Sequence, residues 1–164
     1  MPELVLRPMM ERDLPDIMEI ERASFATPWS QQEMRGELLN EIAHYQVAEW
    51  EGQVVAYAGY WLIGDEAHIT NVAVRSGCRR RGFGEKVVRS LMEEARGNGV
   101  HAMTLEVRAG NKSAQALYCK LGFEGVGLRP GYYEDNREDA LIMWLRDLPG
   151  CLDACQTVPG GIKS

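Results

Sequence analysis

The chain has 164 residues, of which 45% are hydrophobic and 26% charged, and its formal net charge is −6. This length suits one globular domain with a sizeable core. The acidic balance argues against a general nucleic-acid binder, which needs a basic surface. The sequence shows no apolar run of membrane-spanning length and no signal pattern near its N-terminus. We therefore expect a cytoplasmic protein that binds neither membranes nor nucleic acid.

The hydrophobic pattern predicts helices and strands in a mixed order. In chain order, the predicted elements are strand 4–7, helix 13–23, helix 30–40, strands 45–50, 54–63 and 67–74, a helix after the glycines at 82 and 84, strand 103–107, helix 113–121, and strands 124–128 and 140–145. Asp13 is expected to cap the first helix, whose short apolar stripe ends at Glu21. Ser30 and Glu33 form a capping box at the start of the second helix.

These elements predict an α+β domain. The tight turns require antiparallel neighbours, and the central strand–helix–strand unit requires a parallel pair. We expect a mixed sheet of six to seven strands flanked by about four helices, within a domain at 1–149 that is followed by a flexible tail at 150–164.

Cysteine and histidine give no metal signature. The cysteines at 78, 119, 151 and 155 form no CxxC pair, and the histidines at 44, 68 and 101 are scattered along the chain. We expect free thiols and no metal site.

A basic turn with two glycines, Arg79-Arg80-Arg81-Gly82-Phe83-Gly84, leads from a predicted strand into an amphipathic helix. The N–H groups of such a turn and the helix dipole favour a phosphate group, and glycine lets a diphosphate approach the backbone. Phe83 replaces the lysine of a P-loop, and Val87 replaces the third glycine of the dinucleotide fingerprint. An ordinary strand-to-helix turn with solvated arginines fits the glycine spacing equally well.

The sequence Arg79-x-x-Gly82-x-Gly84 resembles the acetyl-CoA pyrophosphate loop of the GNAT acetyltransferases. Other segments follow in that family's order, so that the resemblance runs from Leu4 to Leu145: Leu105-Glu106-Val107-Arg108, Asn111, Ala116-Leu117-Tyr118, Leu121-Gly122-Phe123, Tyr132-Tyr133 and 137–143. The last two segments resemble the RimI-type branch, which acetylates the N-terminal alanine of a small-subunit ribosomal protein. The resemblance implies the GNAT fold and direct acetyl transfer from acetyl-CoA to a protein N-terminal amine.

The resemblance also implies roles for individual residues. Glu106 is expected to be the general base, and Tyr118 the acid that protonates the departing CoA thiolate. The expected acetyl-CoA contacts are Val72, Ala73, Val74, Arg79, Arg80, Arg81, Gly82, Phe83, Gly84, Glu85 and Asn111, with a backbone N–H near Val72 as the oxyanion partner. Trp29, Tyr132 and Tyr133 are expected to line the peptide groove.

Each of these residues has a purely structural alternative. From the residues alone, Glu106 is a solvent-facing strand residue, Tyr118 a core tyrosine and Asn111 a helix N-cap, while the paired tyrosines are hairpin aromatics. The chain also departs from the family pattern. At 75–78 it reads Arg-Ser-Gly-Cys where the family usually has Asp-Pro or His-Pro, and this change is expected to loosen the entry to the loop.

Two other functions remain open on the sequence. One is acetylation of lysine or of a small-molecule amine by an enzyme of the same fold. The other is a non-catalytic CoA-binding module that regulates a partner. For oligomeric state we expect a monomer or a weak dimer.

Overall fold

A computed structural model describes residues 3–146 of the chain. In chain order its elements are β1 (Leu4–Pro8), a 3-10 turn (Glu11–Asp13), α1 (Leu14–Ser24), α2 (Gln31–Leu39), β2 (Ala43–Trp50), β3 (Gln53–Ile63), β4 (Glu66–Val74), α3 (Phe83–Gly97), β5 (Ala102–Arg108), α4 (Lys112–Lys120), β6 (Glu124–Arg129) and β7 (Ala140–Leu145). The predicted order of helices and strands is confirmed. The predicted tail, the domain end at 149 and the cysteines at 151 and 155 lie outside the described residues.

One mixed sheet contains all the described strands, in the order β1-β2-β3-β4-β5-β7-β6. The pairing is antiparallel except between β4 and β5, which run parallel. That parallel pairing covers Glu66–His68 against Ala102–Thr104, after which both strands continue without pairing to each other. We call the opening between them the β4–β5 fork.

A bulge in β4 accompanies the fork. Gly59 of β3 pairs with Asn71, whereas the next residue, Tyr60, pairs with Ile69, so Thr70 is the extra residue of β4. An extra residue bends the strand and reverses which face each later side chain occupies. Ile69 accordingly packs against α3, whereas Ala73 packs against α1 and α2. The bulge therefore helps to turn β4 away from β5.

Helices cover both faces of the sheet. On one face, α3 and α4 bury a large apolar cluster, in which the predicted stripe of α3 is buried: Val87, Val88, Leu91, Met92 and Ala95. On the other face, α1 and α2 pack over β2 and β3. Each large apolar side chain buried in this way contributes about 1.5–3 kcal/mol. The two cores hold the fork in a rigid frame.

Helix starts show one confirmation and one correction. Ser30 and Glu33 form the predicted capping box, with each side chain accepting from the other residue's backbone N–H. Asp13 stands at the N-cap position of α1 but makes no side-chain cap. Its carboxylate instead accepts from the backbone N–H of Met10 and from the guanidinium of Arg7, at 2.8 Å in each case.

The predicted short stripe of α1 is wrong. Ile20 is 1% exposed and Glu21 is also 1% exposed, so the buried face runs on past Met18. Glu21 can be buried because it accepts hydrogen bonds from the Tyr57 hydroxyl and from the backbone N–H of Trp29.

Candidate active site

Glu106 lies on β5 just beyond the point where β4 and β5 part. Burial alternates along β5, so Leu105 and Val107 enter the core beneath α3 while Glu106 faces the other side of the sheet. The Glu106 side chain is 10% exposed, and its Oε1 lies 2.7 Å from Nε2 of His68. His68 is the last residue of β4 that pairs with β5. The two side chains therefore meet at the base of the fork.

The surroundings of Glu106 keep its carboxyl ionised. The hydrogen bond with His68 lowers the pKa of Glu106 below its ordinary value and outweighs burial, which alone would raise it. The Arg129 guanidinium adds a weaker attraction, with Nε 3.6 Å from Oε2. Because Arg129 is 56% exposed, solvent screens this pair. Glu106 is thus a carboxylate at neutral pH that is able to accept a proton, although it is a weak base.

The turn between β4 and α3 has the backbone geometry of an anion site. Gly82 is the N-cap of α3, has a left-handed φ of 81°, and is not joined by any capping side chain from the described chain. A Cβ at Gly82 would enter open space, whereas a Cβ at Gly84 would lie 3.2 Å from Cγ2 of Val74. The turn is therefore open outward and packed closely onto β4. This arrangement fits a diphosphate, since free N–H groups and the positive end of the helix dipole face it.

The arginines of the turn are exposed and have different surroundings. The Arg81 guanidinium lies over the rings of Trp50 and Phe83, at 5.4 Å and 5.2 Å from their centroids. Arg79 makes a long hydrogen bond of 3.5 Å to a serine of α1. Arg80 has a φ of 67°, a conformation that is uncommon outside glycine and helps to reverse the chain.

Two of the predicted acetyl-CoA contacts have side chains that are engaged elsewhere. Phe83 is 6% exposed and belongs to the core. The Glu85 carboxylate is held by Arg89 at 3.0 Å and by Lys120 at 2.8 Å.

The entry to the turn is anchored despite the missing proline. The backbone N–H of Arg75 donates to the Val55 carbonyl at 2.7 Å, and its Nε donates to the Val54 carbonyl at 3.0 Å. The same guanidinium pairs with Glu19 at 2.8 Å. Side-chain contacts at Arg75 therefore restrain the segment that was expected to be loose.

Tyr118 and Asn111 both satisfy their structural alternatives. Tyr118 is 6% exposed and meets the Phe123 ring edge-on. Burial raises the pKa of Tyr118, so its hydroxyl keeps its proton at neutral pH, and residues 3–146 offer that hydroxyl no hydrogen-bond partner. Asn111 is the N-cap of α4, with its side-chain oxygen accepting from the Ala114 N–H at 3.1 Å. Tyr118 is thus a core residue with an uncommitted donor.

The loop between β6 and β7 brings the paired tyrosines toward Glu106. Their rings pack edge-to-face, with centroids 5.0 Å apart. Tyr132 is 44% exposed, while Tyr133 is half-buried, and burial raises the pKa of Tyr133 to about 12. The charge of Glu106 contributes to the raised pKa of both tyrosines, which places them in its electrostatic range.

Trp29 belongs to the other side of the fork. Its backbone N–H donates to the buried Glu21 at 3.0 Å, and Tyr57, which also donates to Glu21, pairs with Ala73 of β4. Trp29 therefore packs on the cluster that contains Ala73 of β4, whereas Tyr133 contacts Arg108 of β5.

Residues 14–123, more than half of the chain, match the model of the acetyltransferase (GNAT) family. The chain belongs to the GNAT acetyltransferase family. Membership confirms the predicted fold, and acetyltransferases of this family use acetyl-CoA as the acetyl donor. The residue-by-residue roles stay predictions.

The chain is similar to proteins from several bacteria. It is 37% identical over 135 residues to the [ribosomal protein bS18]-alanine N-acetyltransferase of Escherichia coli K12, covering 81% of this chain and 90% of the relative. It is 42% identical over 141 residues to a Bacillus subtilis protein provisionally named for the same activity, covering 85% and 93%. A crystal structure of the E. coli ribosomal-protein-S18-alanine N-acetyltransferase matches with a TM-score of 0.81 and 32% identity, covering 96% of this chain and all of that one.

His68 is the site residue that the sequence analysis missed. A single histidine in a strand carries no local signal, and the predicted strand contains no second ligand or base beside it. The alternation of β4 and β5 could have indicated that His68 and Glu106 share the polar face, but their contact depends on the register between the strands.

Across residues 3–146, no helix is long and apolar enough to cross a membrane.

Proposed function

We propose that this acetyltransferase transfers acetyl from acetyl-CoA to the N-terminal α-amine of a protein, with alanine as the acceptor residue. By analogy with the E. coli relative, the protein substrate is a small-subunit ribosomal protein, and the enzyme works in the cytoplasm. The observation that carries the proposal is the position of Glu106, an ionised carboxylate at the β4–β5 fork with tyrosines beside it.

The strength of the base favours an α-amine over lysine. An α-amine has a pKa of about 8, so roughly a tenth of it is neutral at neutral pH. A lysine amine has a pKa of about 10.4 and is neutral in only about one molecule in a few thousand. Because His68 lowers the pKa of Glu106, this carboxylate is a weak base. A weak base is sufficient for the α-amine, because a larger fraction of it is already deprotonated.

In the proposed reaction, the bound acetyl-CoA supplies a thioester whose carbonyl carbon the amine attacks, forming a C–N bond as the C–S bond breaks. Glu106 takes the proton that the amine nitrogen must lose, directly or through a water molecule. Tyr118 gives its hydroxyl proton to the sulfur that leaves, and its raised pKa keeps that proton in place until then. No covalent enzyme intermediate is needed.

The chain's backbone is suited to holding acetyl-CoA. The open turn at Gly82 and the first N–H groups of α3 would receive the diphosphate. Beyond His68 the edge of β4 is not paired to β5, so Val72, Ala73 and Val74 offer backbone groups to the pantetheine arm, with an N–H near Val72 as the oxyanion partner.

The walls of the fork are suited to a peptide. In this proposal Trp29 and the tyrosines at 132 and 133 line the groove, since their amphipathic rings bury apolar area while keeping a polar group available. A non-catalytic CoA-binding module has no use for both an ionised base and a protonated hydroxyl near one opening.

A single peptide with two amines tests the proposal. The peptide begins with alanine, carries the basic N-terminal sequence of a bS18 protein and includes an internal lysine. After incubation with acetyl-CoA, fragmentation mass spectrometry should locate the acetyl group on the α-amine. A control peptide with a blocked α-amine and the same lysine should release no thiol above background. Acetyl found on lysine, or no transfer at all, would refute the proposed function.

A further inference from the structure

The contact between His68 and Glu106 joins two strands at one defined place. The last parallel pair of β4 and β5 is His68 with Thr104, and Glu106 lies two residues further along β5 on the same face. Because the strands part beyond this point, His68 is the β4 side chain nearest the base of the opening. It spans the gap with a bond of 2.7 Å from Nε2 to Oε1.

Glu106 is more deeply buried than the histidine that binds it. The Glu106 side chain is 10% exposed, and that of His68 is 34% exposed. A nearly buried carboxylate needs a hydrogen-bond donor to stay ionised. A donor that is itself partly in solvent pays only a small desolvation free energy. A neutral imidazole with its proton on Nε2 meets this need, and a doubly protonated imidazole meets it as well.

The remaining groups that face Glu106 cannot replace this donor. Arg129 is 3.6 Å away, beyond hydrogen-bond distance, and more than half exposed. Tyr132 and Tyr133 lie within electrostatic range of Glu106 but appear in no hydrogen bond to it within the described chain. Oε1 is therefore engaged by His68, and Oε2 is the oxygen left to accept a proton.

We propose that His68 is a positioning residue for acetyl transfer: its Nε2 fixes the Glu106 carboxylate at the β4–β5 fork, with Oε1 bound and Oε2 available to the amine. This inference rests on the proposed function. Holding a base in one orientation matters because a misplacement of about 1 Å can reduce the rate about a hundredfold. His68 acts through Glu106 and does not itself take the amine proton.

Two substitutions separate this role from a general effect on folding. His68→Leu removes the donor, so kcat should fall by about tenfold to a hundredfold. The KM for acetyl-CoA should be unchanged. His68→Gln keeps an N–H donor that can reach the carboxylate, so kcat should stay within about threefold of wild type. A matched control is His44→Leu, since His44 pairs with Glu94 at 3.1 Å with side chains 25% and 30% exposed. This pair joins β2 to α3 and includes no residue of β4 or β5, so kcat should be unchanged.

An NMR titration of the Glu106 carboxyl carbon in the free protein provides a readout that does not depend on turnover. Loss of the His68 donor leaves only the weaker attraction of Arg129 to oppose the effect of burial, so in His68→Leu the carboxyl should titrate at higher pH than in wild type. The acid limb of the kcat profile should move in the same direction.

The proposal would be overturned if His68→Leu kept kcat within about twofold of wild type, if its Glu106 titration were unmoved, or if His44→Leu lowered kcat to the same degree. The titration uses no substrate. It therefore tests the positioning role even if the peptide experiment refutes α-amine transfer.

Discussion

The guanidinium carbon of Arg108 lies 4.0 Å from the centroid of the Tyr133 ring. Arg108 is the last residue of β5, and its guanidinium also pairs with Asp135 at 2.9 Å and with Glu138 at 3.3 Å. The loop with the paired tyrosines is therefore fastened to the strand that carries Glu106. A loop restrained before binding loses less conformational freedom when a peptide packs on it.

Arg108→Gln should weaken peptide binding without affecting acetyl-CoA. The substitution removes the cation–π contact and both ion pairs, which together contribute on the order of 1 kcal/mol or more at this half-buried position. Steady-state kinetics should show the KM for the peptide raised about three- to tenfold. Arg35→Gln is the matched control, because it removes an exposed pair of 3.6 Å with Glu11. Equal KM values in wild type and Arg108→Gln would mean that the loop needs no such support.

Gly82→Val should abolish binding of acetyl-CoA. The valine side chain would occupy the open space of the turn, and a β-branched residue does not tolerate the φ of 81° found there. Calorimetry measures the affinity directly. Gly97→Val is the control: it also adds a side chain in open space, at the other end of α3, but Gly97 has no positive φ. The affinity of this variant for acetyl-CoA should therefore match that of wild type. Full affinity in Gly82→Val would exclude this turn as the diphosphate site.

Tyr118→Phe should lower kcat by at least about tenfold, since the leaving sulfur then lacks its proton donor. Because residues 3–146 offer the Tyr118 hydroxyl no partner, its removal should change the melting temperature little. Tyr60→Phe gives the contrast: its hydroxyl bonds to Glu94 at 2.6 Å, so stability should fall while turnover per folded molecule is kept. A purely structural Tyr118 would instead show unchanged turnover.

The buried pair of Arg7 and Asp13 should make stability depend on pH. Burial alone would raise the pKa of Asp13, but hydrogen bonds from Arg7 and Met10 outweigh it and lower that pKa. A lowered folded-state pKa adds stability that is fully present above the unfolded value of about 3.9 and is lost as the pH falls through the folded value. Asp13→Asn should reduce the free energy of unfolding by about 2 kcal/mol at neutral pH and by much less in strong acid. Denaturant titrations across pH check this prediction, and a deficit that stayed the same at every pH would contradict a stabilising role for the ionised Asp13 carboxylate.

Much of the fold followed from local patterns in the sequence. The Ser30–Glu33 capping box, the periodic stripe of α3 and the alternation along β5 each depend on neighbours within a few residues. The turn at Gly82 was predicted for the same reason, because glycine at the start of a helix readily adopts the left-handed φ that this turn requires.

The features that were missed depend on contacts between distant residues. Glu21 resembles a surface residue in the sequence, yet it is buried because Tyr57, 36 residues away, donates to it. His68 and Glu106 are 38 residues apart, and their contact requires the register in which His68 pairs with Thr104 of β5. Asp13 is a nearer case, since Arg7 is only six residues away, but their contact depends on how the chain turns between β1 and the 3-10 turn. Propensity and periodicity carry no information about such pairs.

The most direct test of the account is the kcat of Glu106→Gln on the alanine-initiated peptide, measured with the affinity for acetyl-CoA. Glutamine keeps the size of the side chain and accepts no proton, so kcat should fall by about 10² to 10⁴ while acetyl-CoA binds as in wild type. The remaining activity should rise with pH, as more of the amine becomes neutral without help. A kcat within about twofold of wild type would contradict the assignment of Glu106 as the base at the fork.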